Sequence, residues 1–384
     1  MKRTLNSADA VKQVVRKNIS PPKPEDFVSR QLDLFRGFLC NTEAERASLS
    51  NVFDLWDSIP RYVISRQLQD KWRKSGSFPL LHKIPFHYRG RELTATLQPA
   101  SIEDKNGVVR SYFPGSSEEI IEDVLRKIAT EQNNGYHISE EKRTGVTFTL
   151  HMLRKELKNR GHERTYNDII LSLDIMARSV IITSTSDNKE GEFISNSLYL
   201  NNLTRVSKQK LAEDPKAKWT ADFHPFASRA LDDLTYRQFN YLRLMSHSNQ
   251  LTRWLNKVLC LKYLQASLLT TFEIRFSTIK RDSGLLSGYK RNRSAIEAVD
   301  TAFIELHECA PPLLGKKPDR KVIDGARGII LDVVYVLTPS IEFISEVKAA
   351  NKRKSLAEEK QRRGIIGGGS GKLPGIIGGG SQGL

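Results

Sequence analysis

The sequence predicts an α+β protein with two similar domains in tandem, because one order of elements occurs twice along its 384 residues. Each occurrence begins with an apolar helical stripe and continues with a short alternating strand, a short helix, a turn and a longer helix. Each then ends in two strands separated by a loop. A helix-turn-helix followed by a β-hairpin is the element order of a winged helix. We therefore predict two tandem winged-helix domains, with a flexible basic N-terminal arm and a Gly-rich C-terminal tail.

The predicted boundaries follow changes in composition. Residues 1–50 are assigned to the arm, which starts polar and basic and contains Pro21, Pro22 and Pro24. The first winged-helix domain is predicted over residues 51–205 and the second over residues 206–347. Residues 348–384 form the predicted tail, where a basic, helix-prone stretch precedes two copies of GIIGGGS. Because such glycine density cannot hold a packed helix, we interpret this end as flexible.

The first predicted domain contains recognisable caps and turns. Pro85–Leu97 is rich in β-branched and aromatic residues and predicts a strand, and Asn106-Gly107 predicts a hairpin turn. Ser116-Ser117-Glu118-Glu119 predicts a capping box at the start of a helix. The other predicted elements are a strand over residues 146–150, a helix His151–Lys158, a helix capped by Thr165, and strands Ser179–Thr185 and Phe193–Leu200.

The second predicted domain repeats this order. Apolar residues at helical spacing follow Asn249, and Phe272, Ile274 and Phe276 alternate as in a strand. The remaining predicted elements are a short helix Ser277–Asp282, a glycine-containing turn Ser283–Gly288, a helix that begins at Tyr289, a basic loop Gly315–Lys321 and a strand Ile329–Leu337.

The charge of the chain favours a polyanionic partner. Lys and Arg number 60 against 44 Asp and Glu, which gives a net charge of +16, and nucleic acid is the simplest such partner. A basic surface without a dedicated ligand is the alternative. No apolar run reaches the roughly 20 residues that span a bilayer, and the N-terminus lacks the pattern of a secretory signal. The three cysteines stand far apart, which excludes a disulfide scaffold and a zinc finger.

Candidate DNA contacts cluster in the second predicted domain. Bases are read by the first residues of a helix in the major groove, whereas Lys and Arg contact phosphates. Because Arg pairs with guanine and Asn with adenine, Arg291, Asn292 and Arg293 are candidate base readers within Tyr289-Lys290-Arg291-Asn292-Arg293-Ser294. The candidate phosphate contacts are Lys280, Arg281, Lys316, Lys317, Arg320 and Lys321. For each of these residues alone, a solvated surface is the competing interpretation.

The first predicted domain has a different charge pattern. Its helix Thr165–Arg178 carries Asp168 and Asp174, which disfavours a phosphate groove. The basic residues lie on the preceding helix and turn; they are Arg154, Lys155, Lys158 and Arg160. We expect this domain to contact the DNA backbone or a protein partner.

The arm contains a pentapeptide, Gln31-Leu32-Asp33-Leu34-Phe35, of the pattern by which many bacterial proteins bind the replicative sliding clamp. Leu34 and Phe35 have the size to fill apolar pockets, and the Gln31 amide has polar groups to pair at the pocket mouth. An ordinary amphipathic turn that packs on its own domain is the alternative.

No catalytic constellation is found. The sequence has no GxxxxGK[ST], HExxH or GxSxG motif, and its eight histidines do not occur at metal-ligand spacings. We therefore predict no enzyme activity, no cofactor and no metal.

The pentapeptide ahead of two winged-helix-like segments, with Ile84-Pro85-Phe86 and the stretch Thr252–Asp300, resembles the TrfA/RepA-type plasmid replication initiators. The resemblance spans about residues 31–337. It implies a cytoplasmic bacterial protein that binds double-stranded DNA at origin repeats (iterons), melts adjacent DNA and participates in plasmid copy control. It implies as partners the sliding clamp, DnaA, the replicative helicase and a second copy of the chain. The extension after Lys348 departs from the family pattern.

Two other functions stay open. A winged-helix transcriptional repressor explains the DNA-binding segments but leaves the pentapeptide without a role. A clamp-tethered nucleic-acid enzyme needs an acidic metal-binding cluster, which the sequence does not show.

Overall fold

The computed structural model describes residues 48–131, 134–185, 194–213, 217–325 and 330–362 of the chain. Within them it shows a mixed α and β protein, which confirms the predicted class at that level. The pentapeptide Gln31–Phe35 and both GIIGGGS copies lie outside the described residues. No helix of the described part has the length and apolar content required to cross a bilayer.

The first half of the described chain alternates helices with antiparallel strands. Its elements are β1 (Leu49–Phe53), α1 (Asp54–Ser58), α2 (Arg66–Lys74), β2 (His82–Tyr88), β3 (Arg91–Gln98), β4 (Ala100–Glu103), β5 (Val109–Tyr112), α3 (Ser116–Thr130), β6 (Gly135–Ile138), β7 (Arg143–Phe148), α4 (Leu150–Asn159), α5 (Tyr166–Arg178), β8 (Val180–Thr185), β9 (Ile194–Leu198) and β10 (Leu200–Thr204).

The second half contains longer helices and one more sheet. Its elements are α6 (Lys208–Glu213), β11 (Trp219–Phe223), α7 (Pro225–Asp232), β12 (Tyr236–Asn240), α8 (Tyr241–Ser246), α9 (Gln250–Lys262), β13 (Phe272–Arg275), α10 (Phe276–Ser283), α11 (Asn292–Glu308), β14 (Asp319–Asp324), β15 (Ile330–Leu337) and α12 (Ile341–Arg362).

Several local predictions are confirmed. Asn106-Gly107 lies in the turn between β4 and β5, and Thr165 caps α5 by accepting a hydrogen bond from Asp168 N at 3.2 Å. The Asp168 carboxylate contacts Thr165 N in return at 3.3 Å, which completes a capping box. These features depend on residues adjacent in sequence, so the sequence alone could specify them.

Three boundaries differ from the predictions. Pro85–Leu97 is not one strand but parts of β2 and β3, because Arg89 and Gly90 turn the chain with φ values of 49° and 78°. The N-cap of α3 is Gly115 rather than a serine, and Glu118 Oε2 accepts its N–H at 2.8 Å. Leu150 begins α4 instead of ending a strand, because Thr149 Oγ1 accepts the N–H of Met152 at 3.1 Å.

The strand pairing of the first half departs from the predicted order. Strands β2, β3, β8 and β9 form one sheet, whereas β7 lies between β6 and β11 in another. Trp219 of β11 is opposite Phe148 of β7, and their ring centroids are 6.2 Å apart. This pairing joins residues on both sides of position 205. The domain boundary at position 205 therefore stays a prediction.

The C-terminal helix α12 runs through position 348 without a break and confirms the helix-prone character of the basic stretch. It packs on β12, and Glu346 forms a two-hydrogen-bond ion pair with the buried Arg243, at 2.9 and 2.8 Å. Residues 348–362 of the predicted tail therefore belong to a helix that packs on the rest of the protein.

A buried ionic cluster joins α1, α3 and α9. It contains four carboxylates and four cations, namely Asp57, Glu119, Glu122, Asp123, Arg61, Arg126, Arg253 and Lys257. Arg126 lies 2.9 Å from Asp57 and 2.5 Å from Glu122. Because α3 precedes and α9 follows position 205, these ion pairs connect the two predicted domains through the core.

Candidate nucleic-acid interface

The first turn of α11 projects into solvent. Residues 287–294 are all exposed, whereas Ala295, Ile296 and Val299 further along the helix are buried. The helix begins at Asn292 with Arg291 as its N-cap, three residues later than the predicted start at Tyr289. Tyr289 and Lys290 therefore lie in the turn before the helix rather than in it. The six predicted residues nevertheless share one exposed surface.

The glycine turn between α10 and α11 fixes where that surface lies. Gly284 ends α10 in the left-handed region at φ 65°, and a Cβ at this position would lie 2.9 Å from Val63 Cγ1. Lys280 of α10 donates a hydrogen bond to Asn292 Oδ1 at 2.8 Å. The two helices are thus held together at the point where α11 starts.

The cations of this surface differ in their local partners. Lys290 and Arg291 form no ion pair among the described residues, and Arg293 lies 3.2 Å from Glu297 on the same exposed helix face. Exposed pairs of this kind hold their partners weakly. The first turn of α11 therefore offers its positive charge to an incoming polyanion at little cost.

The predicted phosphate contacts outside α11 are each beside a carboxylate, apart from Lys280. The N–O distances are 2.7 Å for Arg281–Asp282, 2.6 Å for Lys316–Asp319, 3.6 Å for Lys317–Glu308, 3.0 Å for Arg320–Asp300 and 3.1 Å for Lys321–Glu273. The sequence shows the cations but not these partners, which are up to 48 residues away. The positive potential is consequently lower along the hairpin β14–β15 than a count of its cations indicates.

The predicted basic loop Gly315–Lys321 is only partly a loop. Asp319, Arg320 and Lys321 belong to β14, which pairs with β15, and β15 in turn pairs with β13. Ladder hydrogen bonds to a strand that lies later in the chain extend β14 into this basic segment. Arg320 and Lys321 are adjacent on β14 and therefore point to opposite faces of the sheet.

Asp332 is a positioning residue that the sequence did not reveal. Its carboxylate accepts hydrogen bonds from Ser277 N at 3.0 Å and Ser277 Oγ at 2.6 Å, which ties β15 to the first turn of α10. Partial burial raises the pKa of Asp332, but the hydrogen bonds from Ser277 outweigh burial and the pKa lies below its usual value. The hairpin is therefore fixed relative to the helix that precedes α11.

The basic residues predicted in the first half lie on and after α4. Lys155 forms no ion pair in the described part of the chain, whereas Arg154 and Lys158 lie 3.6 and 3.5 Å from Glu163. Arg160 lies 2.8 Å from Glu156. Arg154 also stacks over Tyr166, with its guanidinium carbon 4.8 Å from the ring centroid.

The two aspartates of α5 are less available than the sequence indicates. Asp168 is used in the cap of its own helix, and Asp174 is buried and paired with Arg205. Tyr166 and Asn167 are exposed at the N-terminal end of the helix instead. The expected acidic face is thus reduced by contacts that only the fold reveals.

The described residues contain no group of three or more His, Cys, Asp or Glu arranged to hold a metal ion. Two of the histidines are structural. His224 is buried and stacks on Trp56 with ring centroids 4.2 Å apart, and His247 is buried beside Asn256, with 3.0 Å between their nitrogens. Burial lowers the pKa of His224 to about 3 and that of His247 to about 4.

Comparisons with known proteins give structural likenesses at low sequence identity. No family model and no curated protein matches the chain. A crystal structure of domains 2 and 3 of RctB, as a SeMet derivative, aligns over 68% of this chain and 92% of its own, with 11% identity and a TM-score of 0.43. A second crystal structure of RctB domains 2-3 aligns over 72% and 94%, with 11% identity and a TM-score of 0.40. Neither likeness identifies a family for the chain.

Proposed function

We propose that the protein binds double-stranded DNA sequence-specifically, with the first turn of α11 in the major groove. The observation that carries this proposal is the exposure of residues 287–294 together with the cations Lys290 and Arg291, which have no ion pair within the described chain. In this proposal, Arg291 and Arg293 contact guanine edges, and Asn292 contacts adenine. The Asn292 amide oxygen is engaged by Lys280, so DNA binding exchanges this exposed hydrogen bond for one to a base.

The second half supports the winged-helix interpretation. The order α9, β13, α10, α11, β14, β15 and the sheet order β13-β15-β14 agree with a helix-turn-helix whose wing is the hairpin β14–β15. In the first half, β7 pairs with β11 instead of with the hairpin β8–β9. We infer that this half is a modified winged helix that supports the second and contacts the DNA backbone through Arg154, Lys155, Lys158 and Arg160.

The biological role that we propose is initiation of plasmid replication. This step depends on the resemblance of the pentapeptide and of Thr252–Asp300 to the TrfA/RepA-type initiators. The protein then acts without catalytic turnover: it binds iterons, spends binding free energy on bending and melting the DNA, and assembles the clamp, DnaA and the helicase. Deformation costs of several kcal/mol are within the range that added contacts offset.

A footprint of the purified protein on DNA that flanks its own gene tests this proposal. Protection in regular steps of one or two helical turns supports an initiator at iterons. One short protected operator contradicts iteron binding and favours the repressor. The absence of any protected site, at protein concentrations that retard random duplex, contradicts sequence-specific binding altogether.

A further inference from the structure

A small pocket between β12 and α12 collects positive charge. Three of its lining residues are cations, namely Arg237, Arg353 and Lys354, and none is a carboxylate. The other lining residues are Leu234, Tyr236, Gln238, Ala350 and Ala357. None of them belongs to α10, α11 or the hairpin β14–β15, so the pocket is separate from the proposed DNA-reading surface.

Arg237 is the most constrained of the three cations. It is 9% exposed, and its guanidinium donates a hydrogen bond to the side-chain oxygen of Asn351. Burial lowers the pKa of Arg237, and no carboxylate of the described residues forms an ion pair with it. Arg243 gives the contrast, because it is also removed from solvent and contacts the same helix but is paired with Glu346.

The two cations from α12 are held at the edge of the same pocket. Arg353 donates a hydrogen bond to Gln238 Oε1 at 2.7 Å. Lys354 Nζ lies 3.9 Å from Glu358 Oε1, a partly exposed contact at the limit of an ion pair. The three side chains bring positive charge to one pocket from two elements, and an anion placed among them is attracted to all three.

We propose that this pocket binds a phosphate group. Guanidinium groups match the oxygens of phosphate in a bidentate geometry, and the higher charge of phosphate suits three cations better than a single carboxylate does. The pocket is small and is lined by eight residues, which suits one anionic group better than an entire nucleotide. The bound phosphate links β12 to α12 and thereby fastens the C-terminal helix.

The first experiment measures the melting temperature of the full chain with inorganic phosphate against chloride at constant ionic strength. We expect phosphate to raise the melting temperature of the native protein and of a Lys348→Gln control, which alters an exposed α12 residue outside the pocket. The rise is expected to shrink or vanish in Arg237→Gln and in Lys354→Gln. The Lys354 variant keeps the test decisive if removal of the buried Arg237 prevents folding.

The second experiment separates a free phosphate compound from the phosphates of DNA. The salt dependence of duplex affinity falls by about one unit of slope for each phosphate that the protein no longer neutralises. If Lys354→Gln lowers the slope and Lys348→Gln does not, the ligand is a backbone phosphate. If the slope is unchanged but the thermal effect disappears, the ligand is a free phosphate compound. If neither quantity depends on Arg237 or Lys354, the proposal is wrong. The variants of α11 test separately whether that helix binds DNA, so failure of the phosphate proposal can be distinguished from failure of the proposed function.

Discussion

Lys257 Nζ on α9 lies 2.8 Å from Asp123 Oδ2 on α3, and both side chains are buried. Lys257 also lies 3.4 Å from Glu119, so one ammonium group serves two carboxylates. Burial raises the pKa of Asp123 to about 6, although the charge of Lys257 lowers it. This contact joins helices from the two predicted domains and sets their separation through the core.

Substitutions of Lys257 and Asp123 are expected to lower the stability of the protein by unequal amounts. Lys257→Met leaves the buried Asp123 without its hydrogen-bonded cation and leaves Glu119 paired only with Arg253, at 3.5 Å, so we expect it to lower the free energy of unfolding by about 3–5 kcal/mol. Asp123→Asn leaves Lys257 paired with Glu119 and is expected to cost less than about 2 kcal/mol. Urea unfolding of both variants at pH 7 measures the difference. Equal losses of stability in the two variants contradict the view that Lys257 is the shared partner.

His224 predicts a decrease of stability in acid. The folded chain keeps this histidine neutral down to about pH 3, because burial first and the nearby Arg61 second lower its pKa. The unfolded chain takes up the proton below about pH 6.5. The contribution to stability is therefore complete above pH 6.5 and is lost as the pH falls toward 3, by at most about 3 kcal/mol between pH 6.5 and 4.

The test is the pH dependence of unfolding in His224→Asn. Asparagine retains an acceptor for the N–H of Phe226, which His224 Nδ1 accepts at 3.1 Å as the cap of α7. We expect lower stability at pH 7, because the stack on Trp56 is removed, and a shallower decrease between pH 6.5 and 4. The exposed His151 provides the control through His151→Asn. An unchanged slope in His224→Asn argues against a neutral His224 in the native state.

Local and distant determinants explain which features were predictable. The cap at Thr165 and the turn at Asn106-Gly107 depend on neighbouring residues and were predicted correctly. The pairing of β7 with β11 joins residues more than 70 positions apart, and no local pattern announces it. Helix α3 also depends on distant contacts. Its apolar stripe was predicted, but its acidic side, including Glu122, is buried as well, because Arg61 and Arg126 lie against it.

The distinction between local and distant determinants also applies to the candidate site. The sequence predicts that the segment around Tyr289–Ser294 begins a helix with an apolar opposite face, and in the structure this segment covers the turn before α11 and the first residues of that helix. The partners of the surrounding cations come from other elements: Glu273 on β13 faces Lys321, and Asp300 on α11 faces Arg320. A count of charges along the chain cannot include such partners, because the fold alone brings them together.

The pentapeptide predicts separable binding activities. Leu34→Ala with Phe35→Ala removes the two side chains proposed to fill apolar pockets on the sliding clamp. We expect clamp binding to fall at least tenfold while duplex affinity stays within twofold of the native value, since neither residue belongs to α11. Pull-down with purified clamp and titration with duplex measure the two quantities. Retention of clamp binding by the double variant shows that the pentapeptide has another role.

Substitutions of Lys290 and Lys317 are expected to change the salt dependence of DNA affinity by different amounts. Both are exposed, but Lys317 lies 3.6 Å from Glu308, whereas Lys290 has no ion pair in the described structure. Removal of a phosphate contact lowers the slope of log affinity against log salt by about one unit. We expect nearly the full change for Lys290→Ala and a smaller one for Lys317→Ala, because Glu308 already offsets part of the Lys317 charge. A larger effect at Lys317 places the wing, and not the first turn of α11, closest to the backbone.

The position of Arg291 predicts that this residue contributes to the sequence specificity of DNA binding. As the N-cap of α11 it is exposed and free of ion pairs among the described residues, so its guanidinium can reach a base edge without breaking an ion pair there. A bidentate contact to guanine is worth about 1–3 kcal/mol of discrimination, and Arg291→Ala should lower cognate affinity by roughly 5- to 150-fold. Affinity for random duplex should change much less, because a phosphate contact alone carries no sequence information. Lys262→Ala, at an exposed position on the last turn of α9, serves as the matched control and should leave both affinities unchanged. If Arg291→Ala weakens cognate and random duplex alike, Arg291 contacts the backbone, and the base-reading assignment of α11 has to be abandoned.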